Sequence, residues 1–270
     1  MLAYIHWHPD PNVFSTGFFS LQWYGVMWGL SVLSGYFIAL WIFNKLRIPE
    51  DKLVTIIQYM FICGFIGARL VHVFFYDWDR FAADPAEIIK VWHGGLASHG
   101  GVLGSIFGLW LFTLRNKEFS LLWLMEHAAI CMIFLCSFIR FGNLMNSEIV
   151  GSATTVPWAF VFDNVDPLPR HPVVLYESIA YFIVQLVMLY LFNKYQDSKP
   201  GMFMVIFFIG MFSIRFMLEF MKVPDGEMIL GLISKTQLLN LPFIITGFIF
   251  WYLMATGKLK YRTPQFAPQA

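Results

Sequence analysis

Three arginines of this chain stand inside, or at the end of, long apolar runs: Arg69 in GARLVH, Arg140 in FIRFGN and Arg215 in SIRFMLEF. Glu126, Glu177 and Glu219 are placed in the same way. On insertion scales an arginine at the centre of a membrane helix costs roughly 2.5–3.5 kcal/mol. Three without compensation would cost about 10 kcal/mol, comparable with the stability of a whole domain. They need anionic partners, water or an interfacial position. Pairing inside the protein is one answer: Arg215 and Glu219 are spaced i, i+4 on one helix face, and Arg69 can extend its stem from the end of a span. Chemistry is the other. Arg140 and Arg215 fall near the ends of two different runs. Two guanidinium forks at one depth can each hold a pair of phosphate oxygens, which points to an anionic headgroup site.

Arg140 is followed by Asn143, Asn146, Glu148 and Gly151 in RFGNLMNSEIVG. Asparagines are poor lipid-facing residues and supply donors and acceptors where a span opens into a polar cavity. Capping and turn formation also account for them, but leave the preceding arginine without a reason. A second polar intrusion is VWHGGLASHGGVLGSIFGLWLF, residues 91–112. Gly100, Gly104 and Gly108 form a row that lets another helix approach closely, and Gly94 and Gly95 suit a bend where a loop enters the apolar run. His99 stands at the start of that run. A lone histidine is usually a satisfied core residue; beside two arginines and a flexible loop it becomes a candidate for proton transfer. His93 and His99, six residues apart, do not share a face of a regular helix. Cys63, Cys131 and Cys136 lack metal-ligand spacing. No metal or cofactor is expected.

Seven apolar stretches carry these residues: 19–43, 53–76, 97–114, 121–142, 172–193, 202–221 and 237–256. Each approaches the roughly 20 residues that a helix needs to cross about 30 Å of hydrocarbon. Runs such as FMVIFFIGMF do not alternate, which argues against a β-barrel. The chain is 58% hydrophobic and 13% charged, against about 25% charged in soluble domains. An all-α integral membrane protein with seven transmembrane helices is therefore expected. The net charge of +1 gives no reason to expect a nucleic-acid partner. No cleavable signal is expected, because the first basic residue, Lys45, follows the first apolar run.

Basic residues set the expected orientation. Lys45, Arg47, Lys52, Arg115, Lys117, Lys194, Lys199, Lys258, Lys260 and Arg262 flank one side; Arg80, Lys90, Arg170, Lys222 and Lys235 flank the other. The richer side is cytoplasmic, so the N-terminus is expected outside and the C-terminus inside. The expected organisation is one domain. It has an outer N-terminal arm at 1–18, a transmembrane body at 19–256, outer loops at 77–96, 143–171 and 222–236, and a cytoplasmic tail at 257–270. A transporter or a lipid-binding scaffold would also carry intramembrane charge. Neither an inverted repeat nor a midplane charge cluster supports the former.

The segments HGGLASHGG, RFGNLMNSEIVG, RHPVVLYE and RFMLEFMKVPDG occur in this order, with QWYG and GARL ahead of them. Together they resemble the phosphatidylglycerol–prolipoprotein diacylglyceryl transferases of bacteria, from about residue 20 to residue 245. The resemblance implies a seven-span enzyme of the bacterial inner membrane with its site toward the periplasm. Such an enzyme moves the diacylglyceryl group of phosphatidylglycerol onto the lipobox cysteine of a prolipoprotein. It forms a thioether and releases glycerol 1-phosphate, the first step of lipoprotein maturation. Its partners are that lipid, the lipobox peptide and the surrounding membrane lipids. Matched motif by motif, His99, Arg140 and Arg215 are the implied catalytic residues. Tyr24, Asn143, Asn146, Gly151, His171, Tyr176 and Glu219 are the implied substrate-binding ones.

Converting a cysteine of pKa about 8.5 to thiolate at pH 7 costs only about 2 kcal/mol. The departing phosphate is the larger problem, and fixed cations in a dry site suit it best. Arg140 and Arg215 are thus expected to hold the phosphate. His99 would take the proton or bond a phosphate oxygen, Tyr24 and Asn143 would orient the headgroup, and Glu219 would fix Arg215. The chain departs from the family pattern where Asp is common at His93, Gly at Ser147, and a polar pair at Val173 and Val174.

Overall fold

A computed structural model describes residues 4–223, 232–261 and 263–266. Pro224, Asp225 and Gly226 of the last motif, and most of the expected 222–236 loop, lie outside the described residues. So do the first three residues of the N-terminal arm, Arg262, and residues 267–270 of the tail.

All seven apolar stretches fold as helices: α1 (Trp23–Lys45), α2 (Glu50–Phe75), α4 (Ser98–Arg115), α5 (Leu121–Met145), α6 (Val173–Tyr195), α7 (Met202–Glu219) and α8 (Lys235–Ala255). The short α3 (Trp78–Ala83) lies between α2 and α4. Six of the seven are long and apolar enough to cross a membrane; α4 is not among them. His99 and Arg115 near its ends, with four glycines between, dilute its hydropathy.

The fold is mostly helical, and short strands occur in its connections. Strand β1 (Ile5–Trp7) pairs parallel with β4 (Phe160–Phe162), which pairs antiparallel with β5 (Pro169–Arg170). Strands β2 (Asn12–Ser15) and β3 (Ser20–Gln22) form a hairpin, so the first span begins at Trp23 rather than at 19. The hairpin turn is held by Thr16 and Phe19, whose backbone groups exchange hydrogen bonds of 2.8 and 3.3 Å. Residues 19–22, FSLQ, alternate apolar and polar side chains, a pattern that suits a strand.

The chain divides into two compact units, Met1–Ile38 with Glu126–Lys260, and Ala39–Met125 with Tyr261–Ala270; the division falls inside α1 and α5. In the second unit the glycine row does what its spacing predicts. A Cβ on Gly100 would collide with the Gly67 carbonyl, one on Gly104 with the Cys63 carbonyl, and one on Gly108 with the Tyr59 carbonyl. Backbone meets backbone along α2 and α4, where side chains would hold them apart.

Arg69 is buried in the same unit and held by backbone carbonyls. Its guanidinium donates to the carbonyl oxygens of Ile88 at 2.8 Å and Gly95 at 2.9 Å, and to those of Glu87 and Gly94. It lies 4.9 Å from the Phe81 ring centroid. One side chain therefore ties the 85–95 loop to the end of α2.

In the first unit, Leu144, Phe160, Phe162 and Val174 form an apolar core under the β1–β4–β5 sheet. Trp7 joins it and donates its indole N–H to the Leu144 carbonyl at 3.0 Å. Glu126 is fully buried but satisfied. Its carboxylate accepts the backbone N–H groups of Gly201 and Phe203, both at 2.9 Å, at the start of α7. Free N–H groups and the helix dipole favour an anion there. Two of the six unexpected charges are thus accounted for by architecture; the other four belong to one cluster.

Candidate functional site

The cluster begins at the end of α5. Arg140 donates through Nη1 to Asn143 Oδ1 at 3.1 Å, and its Nε lies 2.5 Å from Glu177 Oε2 on α6. Asn143 Nδ2 donates to Glu148 Oε2 at 2.7 Å, and Asn146 Nδ2 to Glu148 Oε1 at 3.0 Å. Asn143 therefore bridges the arginine to a loop carboxylate that Asn146 also holds, beyond simple capping. Gly142, one residue before Asn143, leaves room for Tyr24. A Cβ there would stand 3.1 Å from the tyrosine ring, tighter than ordinary contact.

Glu177 is fully buried and takes a second cation. Lys222 Nζ lies 2.9 Å from Glu177 Oε1 and 3.0 Å from Glu219 Oε2. Glu219 also accepts from Ser234 Oγ at 3.2 Å. The expected Arg215–Glu219 pair does not form among the described residues. Lys222, three residues on, reaches Glu219 instead and also Glu177. Arg215 is left with its Nε buried and without a hydrogen-bond partner among the described residues. Arg140 and Arg215 nevertheless converge: both lie within electrostatic reach of the same two side chains, Cys136 and Tyr181.

Gly151 anchors the loop to this cluster. Its N–H bonds the His171 carbonyl at 3.1 Å, and its backbone bridges to Lys222. A Cβ would collide with the His171 carbonyl, so only glycine fits. Arg170 Nη1 donates to the Gly151 carbonyl at 3.0 Å. Asp166 grips Arg170 from the other side, and that guanidinium holds the Asp166 carboxyl below the usual carboxylate range. His171 Nδ1 stands 3.4 Å from the Tyr176 hydroxyl, which accepts from Trp158 Nε1 at 2.8 Å.

An apolar cleft of about 460 Å³ opens between α6 and α7, lined by Tyr176, Ala180, Ser213, Ile214, Met217 and Leu218. Arg215 lies on α7 at the level of the cleft residues Ser213, Ile214, Met217 and Leu218. A π-helical stretch, Ile206–Met211, precedes it. Such single-turn π segments recur at functional sites because the extra residue re-aims the turn that follows.

His99 lies in the other unit, exposed in the first turn of α4, with no hydrogen bond among the described residues. Tyr24, Arg140, Asn143, Asn146, Gly151, His171, Tyr176, Arg215 and Glu219 all lie in the first unit. Lys222 and Glu177 were absent from the expected site, as was Arg170. The available signal for Lys222 was its spacing: 215, 219 and 222 repeat at i, i+4, i+7, one helix face.

Comparison with known proteins identifies the family. The family model described as prolipoprotein diacylglyceryl transferase matches residues 11–253. A phosphatidylglycerol–prolipoprotein diacylglyceryl transferase of Chloroherpeton thalassium is 42% identical over 247 residues, covering 91% of this chain and 92% of the relative. One from Tolumonas auensis is 37% identical over 257 residues, covering 95% and 100%. One from Bacteroides fragilis is 36% identical over 275 residues, covering 96% and 98%. With a family model spanning nearly the whole chain and relatives this similar end to end, the protein is a member of the prolipoprotein diacylglyceryl transferase family.

Proposed function

We propose that this chain transfers the diacylglyceryl group of phosphatidylglycerol to the lipobox cysteine of a prolipoprotein. The carrying observation is the pair of arginines from two helices, Arg140 and Arg215, within electrostatic reach of the same two side chains, Cys136 and Tyr181, with an apolar cleft between α6 and α7. Arg215 has guanidinium capacity to spare, as a phosphate clamp requires. A headgroup phosphate bound there leaves the acyl chains facing an apolar groove.

In the proposed reaction the cysteine sulfur attacks the sn-3 carbon of the lipid glycerol. A C–S bond forms as the C–O bond to phosphate breaks, and the phosphate leaves with the electron pair as glycerol 1-phosphate. Negative charge grows on the departing phosphate, and Arg140 and Arg215 stabilise it. Fixed cations out of bulk water act most strongly on such charge, because they need not reorganise. Glu177 and Lys222 hold Arg140 in place, and Tyr24 and Asn143 orient the headgroup. His99 is the group proposed to take the thiol proton. That role rests on its motif and on imidazole chemistry.

The proposed topology has seven crossings, α4 being the seventh, with the N-terminal arm and the loops at 77–96, 143–171 and 222–236 on the periplasmic side of a bacterial inner membrane. The distribution of basic residues supports it. At about 1.5 Å per residue the 18 residues of α4 span about 27 Å, close to the hydrocarbon thickness.

The deciding experiment incubates purified protein with phosphatidylglycerol and a lipobox peptide. The peptide mass is expected to rise by one diacylglyceryl group, with glycerol 1-phosphate appearing in equal amount. Lipid binding with an unchanged peptide mass would leave only a lipid scaffold, and the proposed activity would be wrong.

A further inference from the structure

Arg140, Asn143, Glu177 and Lys222 pair with one another, but two polar side chains on the same face of α6 have no hydrogen-bond partner among the described residues. Tyr181 is 1% exposed and Gln185 is 0% exposed. The Tyr181 hydroxyl, and both Nε2 and Oε1 of Gln185, lack any hydrogen-bond partner among the described residues. Leaving a buried donor or acceptor unmade costs on the order of 1–3 kcal/mol each, so such groups are rare in cores and call for a reason. Phenylalanine and leucine would fill the same positions without that cost.

Their placement supplies a reason. Glu177, Tyr181 and Gln185 repeat at i, i+4, i+8, a stripe down one face of α6. Glu177 holds Arg140 at its head, and Tyr181 lies within electrostatic reach of both Arg140 and Arg215. The cleft residues Tyr176 and Ala180 lie level with Glu177 and Tyr181 on α6, so the groove opens beside the first turns of the stripe. A glycerophospholipid has a matching order of chemistry: phosphate, then two ester carbonyls on the glycerol carbons, then hydrocarbon. One helical turn is about 5.4 Å, a few bonds' length along the lipid. With phosphate on the arginines at the level of Glu177, the esters fall one to two turns further along α6, level with Tyr181 and Gln185.

Building on the proposed transferase reading, we propose that Tyr181 and Gln185 form the subsite for the ester carbonyls of the diacylglyceryl group. The Tyr181 hydroxyl donates to one carbonyl oxygen and the Gln185 amide N–H to the other. Both are positioning residues, since neither touches the breaking C–O bond. They confer a preference for diacyl over dialkyl glycerol, because an ether oxygen is a poorer acceptor and sits in the chain rather than projecting from it. Contacts made equally in the ground and transition states act on KM and leave kcat nearly unchanged.

The test compares phosphatidylglycerol with its chain-matched diether analogue, using a lipobox peptide as acceptor. The wild-type chain is expected to favour the diester in kcat/KM, and Tyr181→Phe to cut that preference roughly three- to tenfold, through KM. Gln185→Leu should do the same, and the double variant should bring the ratio near one. Tyr181→Phe should unfold at the same or a higher temperature, because it removes only an unsatisfied hydroxyl, so a loss of folding would not mask the result. Two outcomes overturn the subsite: a diester-to-diether ratio unchanged by both variants, or a loss of kcat equal for the two lipids. A wild-type chain that modifies the peptide with neither lipid would instead remove the transferase reading itself.

Discussion

At the scale of single residues, Glu177 is the point on which the cluster turns. One fully buried carboxylate carries Arg140 on one oxygen and Lys222 on the other. Removing one partner from a buried ion pair strands the rest, typically at 3–5 kcal/mol. Glu177→Gln is therefore expected to lower stability by about 3 kcal/mol or more and to abolish transfer, read as a drop in thermal midpoint in detergent together with loss of the peptide mass shift. Lys222→Arg should retain far more activity than Lys222→Met, since arginine also reaches both carboxylates. At Arg140 the conservative change fails for a different reason. Arg140→Lys keeps the charge and loses the fork, and with it one or two charge-assisted bonds, each worth about 1.5–3 kcal/mol. A fall in kcat/KM of at least about tenfold follows; unchanged activity and lipid affinity would rule out bidentate phosphate binding. The sequence exposed Arg140 and its asparagines, because their types are costly in a span and they lie within one motif. It hid the contact between Glu177 and Lys222, which joins residues 45 positions apart. Lys222 also reads as one more loop charge until the partner helix is placed beside it.

At the scale of elements, the turn after α5 shows what a departure from the family pattern means physically. Ser147 has φ 55° and Ile149 has φ 54°, both in the left-handed region. That conformation costs an L-residue roughly 1–2 kcal/mol, and glycine little. A family preference for glycine where Ser147 stands then has a backbone cause. Ser147→Gly is expected to raise the thermal midpoint slightly, the relief offset in part by glycine's greater unfolded freedom. It should leave the Asn143–Glu148–Asn146 contacts, and hence activity, intact. His93, another departure, is explained by its partner: its Nδ1 lies 2.9 Å from Glu87, which also accepts from Lys90 and Arg80.

Hydrogen bonds from His93 first, and then Lys90, hold the Glu87 carboxyl down at about 2, below its ordinary value near 4. A carboxylate depressed on folding stabilises the fold above its unfolded pKa and loses that contribution as pH falls through the folded one. The thermal midpoint should therefore fall more steeply between pH 5 and pH 2 in the wild-type chain than in Glu87→Gln. Parallel curves would show that the loop cluster contributes nothing. Helix positions and the glycine row were legible because apolar length and small-residue spacing are local signals. The hairpin at 12–22 and the π-helical stretch of α7 were not, since both depend on hydrogen bonds that apolar composition does not encode.

At the scale of the whole molecule, α4 decides how the chain threads the membrane. It is the least apolar of the seven helices expected to cross, yet it carries the glycine row against α2 and His99 in its first turn. A helix can be poor in hydropathy and still cross when a neighbour covers it, because backbone packing along Gly100, Gly104 and Gly108 replaces lipid contact. If α4 crosses, an odd number of spans separates the ends of the chain, and the basic-residue bias becomes self-consistent. Single cysteines placed in a variant lacking Cys63, Cys131 and Cys136 test this directly. Trp92→Cys precedes α4, Lys117→Cys follows it, and Leu168→Cys lies beyond α5; the three positions are exposed. In intact spheroplasts a membrane-impermeant maleimide is expected to label positions 92 and 168 but reach 117 only after permeabilisation. Labelling of 92 and 117 from the same side would mean that α4 does not cross, leaving six spans and both termini on one face. Labelling of 117 alone would invert the orientation and put the Arg140 end of α5 in the cytoplasm, where an exported prolipoprotein could not reach it.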